Sequence, residues 1–137
     1  MADWKFVTVA HRALFRWSGG RIGAHMGGID IVMVDTIGRK SGKVHTIPIA
    51  CYPCGDDVAV VASNNGSDKD PLWLLNLRAQ PEVDVQLGRQ RYRSRAEELS
   101  REEAEKLWPA IIENNPRQAQ YREQSSRELP IICFRRL

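Results

Sequence analysis

The segment Gly38-Arg39-Lys40-Ser41-Gly42-Lys43 places three cations within five residues and no acid among them. That pattern suits anion binding. Arg39 can fork onto a phosphate or carboxylate, while Lys40 and Lys43 act as mobile point charges. Gly38 and Gly42 are expected to take positive φ, which would leave neighbouring backbone N–H groups convergent on one anion. Each charge-assisted contact contributes about 1.5–3 kcal/mol once partly desolvated. The spacing is not Gly-x-x-x-x-Gly-Lys-Ser/Thr, which argues against a nucleoside triphosphate. On these residues alone, a solvated hairpin turn explains the segment equally well.

A second cluster reads Ser63-Asn64-Asn65-Gly66, followed by Pro71 and Trp73. Turn formers with available amides and hydroxyls stand beside an aromatic side chain, an arrangement that suits a planar heteroaromatic ligand. Trp73 read by itself is an ordinary core residue. Cys51-Tyr-Pro-Cys54 has the spacing of redox and zinc motifs, but only Cys133 and three scattered histidines remain as further ligands. A thioredoxin-type pair belongs at a helix start, and this one ends a strand, so a structural role is expected and no metal. His11, His25 and His45 form no triad with any nucleophile, and Gly-x-Ser-x-Gly is absent. Hydrolytic chemistry therefore has no support.

The elements that must position these groups follow from periodicity and breakers. Residues 3–17 repeat apolar side chains at helical spacing, with Lys5, Arg12 and Arg16 opposite. That predicts a helix docked on the core or resting on anionic lipid, followed by a glycine-rich loop to Gly28. Strands are predicted at Ile29–Thr36, His45–Tyr52 and Asp57–Ala62, the last two separated by a turn over Pro53–Asp56. A helix is predicted over Lys69–Ala79, capped by Asp70 with Pro71 first. Val83–Leu87 and Gln90–Ala96 read as a hairpin around Gly88-Arg89. Ser100 and Glu103 form a capping box for a helix through Leu107, Trp108, Ile111 and Ile112, with a kink expected at Pro109. A short helical piece holds Tyr121, and Leu129–Phe134 closes the chain as a strand. Hairpin-linked strands with inserted helices predict an α+β antiparallel barrel with helices packed outside.

Composition bounds the possibilities. A chain of 137 residues, 42% hydrophobic and 27% charged, suits one soluble domain, here read as residues 1–28 leading into a barrel over 29–137. Neither a bilayer-spanning apolar run nor a secretion signal is present, and an odd cysteine count fits a reducing cytoplasm. The net charge of +3 is concentrated before residue 46, where seven Lys/Arg face three Asp/Glu. A local excess of that kind suits a small anionic ligand or a membrane surface better than nucleic acid.

Three stretches in order, Thr36–Pro48, Ala62–Val83 and Tyr121–Ile131, resemble the deazaflavin-dependent nitroreductase and quinone reductase family of actinobacteria. This is a branch of the split β-barrel flavin-binding superfamily. The resemblance implies a split barrel binding coenzyme F420, a 5-deazaflavin with a phosphodiester and an oligoglutamate tail. It implies that Arg39, Lys40, Ser41, Gly42, Lys43 and His45 hold the phosphate and tail. Ser63, Asn64, Asn65, Gly66, Pro71 and Trp73 would border the ring, with Ser63 and Tyr121 as catalytic candidates. The implied activity is hydride transfer from the reduced deazaflavin to a quinone, nitro compound or similar conjugated acceptor. The alternative is a non-catalytic deazaflavin- or apolar-ligand-binding protein, and flavin or haem are further ligand alternatives since related barrels bind them.

Departures from the family pattern are informative. His45 stands where the family usually has arginine, which would make one tail contact depend on pH. Asn64-Asn65 replaces a commoner Lys/Asn-Gly pair. Nitroimidazole-reducing members carry three tyrosines spaced by three, and here those positions read Asn115, Gln118 and Tyr121. A quinone is therefore the expected acceptor class, reached through cytoplasmic or peripheral membrane placement.

Overall fold

Strand residues alternate between two hydrophobic clusters, and that alternation builds the molecule. The computed structural model describes residues 25–26 and 29–137. Its strands are β1 (His25–Met26), β2 (Ile29–Ile37), β3 (Val44–Cys54), β4 (Asp57–Val61), β5 (Glu82–Leu87), β6 (Gln90–Glu98) and β7 (Ile131–Arg136). The α-helices among the described residues are α1 (Leu72–Ala79), α2 (Arg101–Asn114) and α3 (Arg117–Gln124). All pairings are antiparallel, in the order β1-β2-β3-β4-β7-β6-β5, and β2 also pairs β5. That extra pairing closes β2 to β7 into a six-stranded barrel, so the sheet offers no long unpaired edge. The expected α+β split barrel is what the chain forms.

Val58 and Val60 of β4 face one cluster with Val32, Val34, Val83, Val85, Ile132 and Phe134. Ala59 and Val61 face the other, with Tyr52, Cys54, Cys133 and Ile131. The first cluster fills the barrel; the second lies between its wall and Ala104, Trp108 and Ile111 of α2. Period-two alternation of apolar residues on both faces requires both packings at once. The α2 helix packs outside, as expected, whereas α1 sends Leu74 and Leu77 into the inner cluster. Ser100 and Glu103 make the predicted capping box, and α2 continues through Pro109 to Asn114.

Several expectations need correction. The glycine-rich stretch to Gly28 is not all loop, since His25 and Met26 pair with Asp30 and Ile29. Asp70 does not cap α1, whose N-cap is Pro71 without a side-chain bond. The Asp70 carboxylate pairs instead with Arg78 at 2.8 Å and Arg127 at 3.0 Å, and two guanidiniums hold it more strongly than an exposed amide would. The second strand runs on to Cys54, leaving a two-residue turn at Gly55-Asp56, where Gly55 takes φ 63. The last strand begins at Ile131, because Leu129 packs in the outer cluster ahead of it. The helix expected over 3–17 lies outside the described residues.

Candidate functional site

The basic turn follows β2 and precedes β3. Gly38 N–H donates to Lys43 C=O and Gly42 N–H to Gly38 C=O, both at 2.8 Å, closing a compact loop. Gly42 takes φ 71 as expected, but Gly38 has no positive φ, so the predicted two-glycine nest is not formed. Gly38 is needed for a different reason. A Cβ there would lie 2.5 Å from Ser41 Oγ and 3.2 Å from His45 Nε2. Lys43 N–H takes Ser41 Oγ at 3.2 Å, and Arg39 N–H reaches Asn76 Oδ1 of α1 at 3.1 Å. The amides of Lys40 and Ser41, at the tip, have no partner among the described residues.

Arg39, Lys40 and Lys43 are exposed and form no ion pair among the described residues. Arg78, Arg91, Arg127 and Arg135 all face carboxylates within 4.0 Å. Three cations without an ion pair among the described residues thus lie within five residues of chain at this turn. A cleft of about 310 Å³ opens at its foot, lined by Ile37, Gly38, Arg39, Ala79, Gln80, Glu82 and Arg93. It does not extend to residues 63–66.

The second region is the loop between β4 and α1. Asn64 (φ 47), Asn65 (φ 57) and Gly66 (φ 81) are three successive left-handed residues. Asparagine tolerates this region better than most side chains, and the conformation still costs of order 1 kcal/mol for each non-glycine residue. Gly66 N–H closes the turn on Ser63 C=O at 2.9 Å and Ser67 N–H on Asn64 C=O at 3.1 Å. Asn64 Nδ2 donates to Lys69 C=O at 3.0 Å, so this side chain helps hold the loop closed. The N–H groups of Ser63, Asn64 and Asn65 have no partner among the described residues, nor does the largely buried Ser63 hydroxyl.

Sequence reasoning assigned nothing to the segment that holds this loop. Ser125 Oγ donates to Ser67 C=O at 3.2 Å, and Ser126 N–H and Oγ both donate to Asp68 Oδ1, at 2.8 and 2.7 Å. The Ser126 amide, then its hydroxyl, hold the Asp68 carboxyl below its ordinary value. Arg127, a half-buried cation, reaches the carbonyls of Ala62, Ser63, Ser67 and Lys69. The stretch from Tyr121 to Ile131 carried that signal only as part of a resemblance. Asn76 carried none, since its role needs α1 folded against the turn.

The predicted residues therefore converge around α1. Asn76 anchors the basic turn, Pro71 starts the helix, and Trp73 is half-buried against the inner cluster with Ile37 and Ile47. Tyr121 packs in the outer cluster on α3, whose Gln124 side chain lies 3.0 Å from where a Gly66 Cβ would stand. His45 gives its carbonyl to Thr36 Oγ1 at 2.9 Å and keeps its ring beside Gly38. Asn115 and Gln118 turn inward, donating to the buried Tyr52 hydroxyl at 3.1 and 3.2 Å.

Burial pushes the Cys51 thiol up to about 12 and raises Cys133 as well, so neither provides a thiolate at neutral pH. No metal-ligating cluster occurs among the described residues.

A closed antiparallel barrel with a cationic turn and an amide-rich loop at one helix defines a split-barrel protein. The chain belongs to the F420H(2)-dependent quinone reductase family, whose model matches residues 8–135. It is 30% identical over 130 residues to an F420H(2)-dependent quinone reductase of Mycobacterium tuberculosis (strain H37Rv), covering 92% of this chain and 87% of that one. A second mycobacterial relative, a putative F420H(2)-dependent quinone reductase, is 29% identical over 107 residues, covering 78% of this chain and 90% of its own. Among solved structures, an F420-H2 dependent reductase superposes with TM-score 0.70 at 35% identity, over 76% of this chain and 92% of that one. Another, described as a domain-swapped dimer, gives 0.73 at 32% identity over 96% and 97%.

Proposed function

We propose that this protein is a coenzyme F420-dependent oxidoreductase that reduces quinones. The observation that carries the reading is the pairing of two unlike surfaces on one helix. Unpaired cations at 39–43 fit a phosphate and oligoglutamate tail, and unpartnered amides at 63–65 fit the polar edge of a heteroaromatic ring. Bound reduced cofactor supplies a hydride to the acceptor. The chain's own residues bind and orient. Arg39, Lys40 and Lys43 grip the tail, with Ser41, Gly42 and His45 beside them. Ser63, Asn65 and Gly66 border the ring, Trp73 offers an apolar wall, and Asn64 keeps the loop closed. The Ser63 hydroxyl, having no partner among the described residues, would hold or pass a proton to the acceptor, and Tyr121 is the second candidate for that role.

Quinones are favoured over bulky bicyclic nitroimidazoles. Asn115 and Gln118 occupy two of the positions where nitroimidazole-reducing relatives carry tyrosine, and both are tied to Tyr52. The deciding experiment mixes purified protein, reduced F420 and a menadione-like quinone and follows cofactor oxidation. Quinone-dependent oxidation well above the no-enzyme rate is expected. No acceleration, with a bicyclic nitroimidazole equally inert, would remove the enzymatic reading.

Among the described residues no helix is long and apolar enough to cross a membrane. The basic amphipathic pattern of residues 3–17 supports peripheral contact with an anionic surface, where lipid-soluble quinones reside. Co-sedimentation with anionic liposomes should therefore weaken when residues 1–20 are removed.

A further inference from the structure

Arg127 makes contacts that the functional reading leaves unexplained. Its side chain is 17% exposed, and almost everything it touches is backbone of the 62–70 loop. Nη2 donates to Ala62 C=O at 2.8 Å and Lys69 C=O at 3.1 Å and reaches Ser63 C=O at 3.4 Å. Nε donates to Ser67 C=O at 3.1 Å. Nη1 lies 3.0 Å from Asp70 Oδ1, an ion-pair contact without hydrogen-bond alignment.

The consequence follows from peptide geometry. In a trans peptide the C=O and the following N–H point in opposite directions, and no cis bond occurs among the described residues. Drawing the Ala62 carbonyl toward Arg127 turns the Ser63 N–H away from it. Drawing the Ser63 carbonyl the same way turns the Asn64 N–H away. The Asn64 carbonyl is held by Ser67 N–H, so the Asn65 N–H also faces out. These are the three amides without partners. A guanidinium behind them further polarises the peptide units and strengthens the outward donors.

We propose that Arg127 is a positioning residue of the ring site, holding the Ala62–Ser63 and Ser63–Asn64 peptides while Ser67 N–H holds the next, so that the Ser63, Asn64 and Asn65 amides converge on an electron-rich oxygen of the bound ring. This rests on the reading that the 63–66 loop takes the deazaflavin edge. Arginine is required because one planar group must serve four carbonyls and a carboxylate. Lysine has a compact head with three donors and cannot span them.

Two ligands separate this role from tail binding: F420, and the same deazaflavin on its sugar alcohol without phosphate or glutamates. Both are titrated into wild type, Arg127→Lys, and the pair Arg39→Ala with Lys40→Ala, alongside melting temperatures. Arg127→Lys is expected to raise Kd for both ligands by the same factor, about tenfold. The turn pair should raise Kd for F420 only. Exogenous guanidinium is expected to restore part of the ring affinity of Arg127→Ala. If Arg127→Lys lowers the melting temperature but leaves the tail-less Kd unchanged, Arg127 is merely structural and the proposal is overturned. Should Arg127→Lys not fold, Asp70→Asn decides: about a threefold loss toward the tail-less ligand supports the proposal, and no loss overturns it. Wild-type protein that binds neither ligand overturns the functional reading as well.

Discussion

The basic turn and the β4–α1 loop solve opposite problems. The turn is exposed, closed by its own hydrogen bonds and, among the described residues, tied to the body through one hydrogen bond, Arg39 N–H to Asn76. Its donors are the ends of long flexible side chains. The loop is strained, partly buried and gripped by three consecutive residues of a distant segment, Ser125, Ser126 and Arg127. Its donors are backbone amides that cannot reorient without breaking that grip. A flexible polyanionic tail needs charge within reach more than geometry, because Coulomb attraction tolerates small displacements. A ring presented for hydride transfer needs fixed geometry, because misplacement by about 1 Å can cost a hundredfold in rate. On the proposed reading, the two regions would divide affinity from orientation.

That division can be tested from its strongest consequence downward. Replacing Arg39 and Lys40 together by alanine should weaken F420 binding by about 2–4 kcal/mol, near a hundredfold, with kcat at saturation little changed. Isothermal titration at low and high salt checks it, since the wild-type advantage should shrink as salt screens the turn. An unchanged dissociation constant would return the turn to a solvated loop.

Gly66→Ala should act on orientation. Alanine at φ 81 is strained by about 1–2 kcal/mol, and its Cβ would crowd Gln124. Turnover and melting temperature are both expected to fall, while the salt slope of binding stays as in wild type. A variant with normal turnover would show that the left-handed loop is incidental.

Asn76→Ala removes the turn's anchor to α1 and should cost about 1 kcal/mol in F420 affinity, roughly fivefold, without affecting the tail-less ring. An equal loss for both ligands would blur the two regions into one.

The smallest effect concerns acid. The Asp68 carboxyl is held below its ordinary value by Ser126, so this contact contributes fully above the unfolded value of about 3.9. It is lost as pH falls through the lower folded value. Affinity for the tail-less ring should therefore decline below about pH 4 in wild type, and Asp68→Asn should remove that component. The tail-less ligand is the right probe, because glutamate tails titrate in the same range.

Local pattern made much of this legible. The apolar run Val58-Ala59-Val60-Val61 after a turn predicted a strand, and the Ser100–Glu103 spacing predicted a capping box that the structure forms. The cation cluster at 39–43 and the turn formers at 63–66 needed only residue types to stand out as candidate segments. Asp70 was misread because a cap and a salt-bridge acceptor look alike in sequence. Only the distant Arg78 and Arg127 distinguish them. Gly38 was misread because glycine serves both positive φ and close approach, and here the neighbouring Ser41 and His45 side chains decide.

By itself the sequence determined most of the strands, the capped start of α2 and which segments carry charge or hydrogen-bonding groups, because these depend on neighbours a few residues apart. Tertiary structure alone decided that β2 also pairs β5 and closes the barrel, and that α1 fills its interior. It alone brought Asn76 to the turn and Arg127 to the loop, 37 and about 60 residues away along the chain. Contacts at such separation leave no local pattern, since their energy is realised only once the barrel has folded.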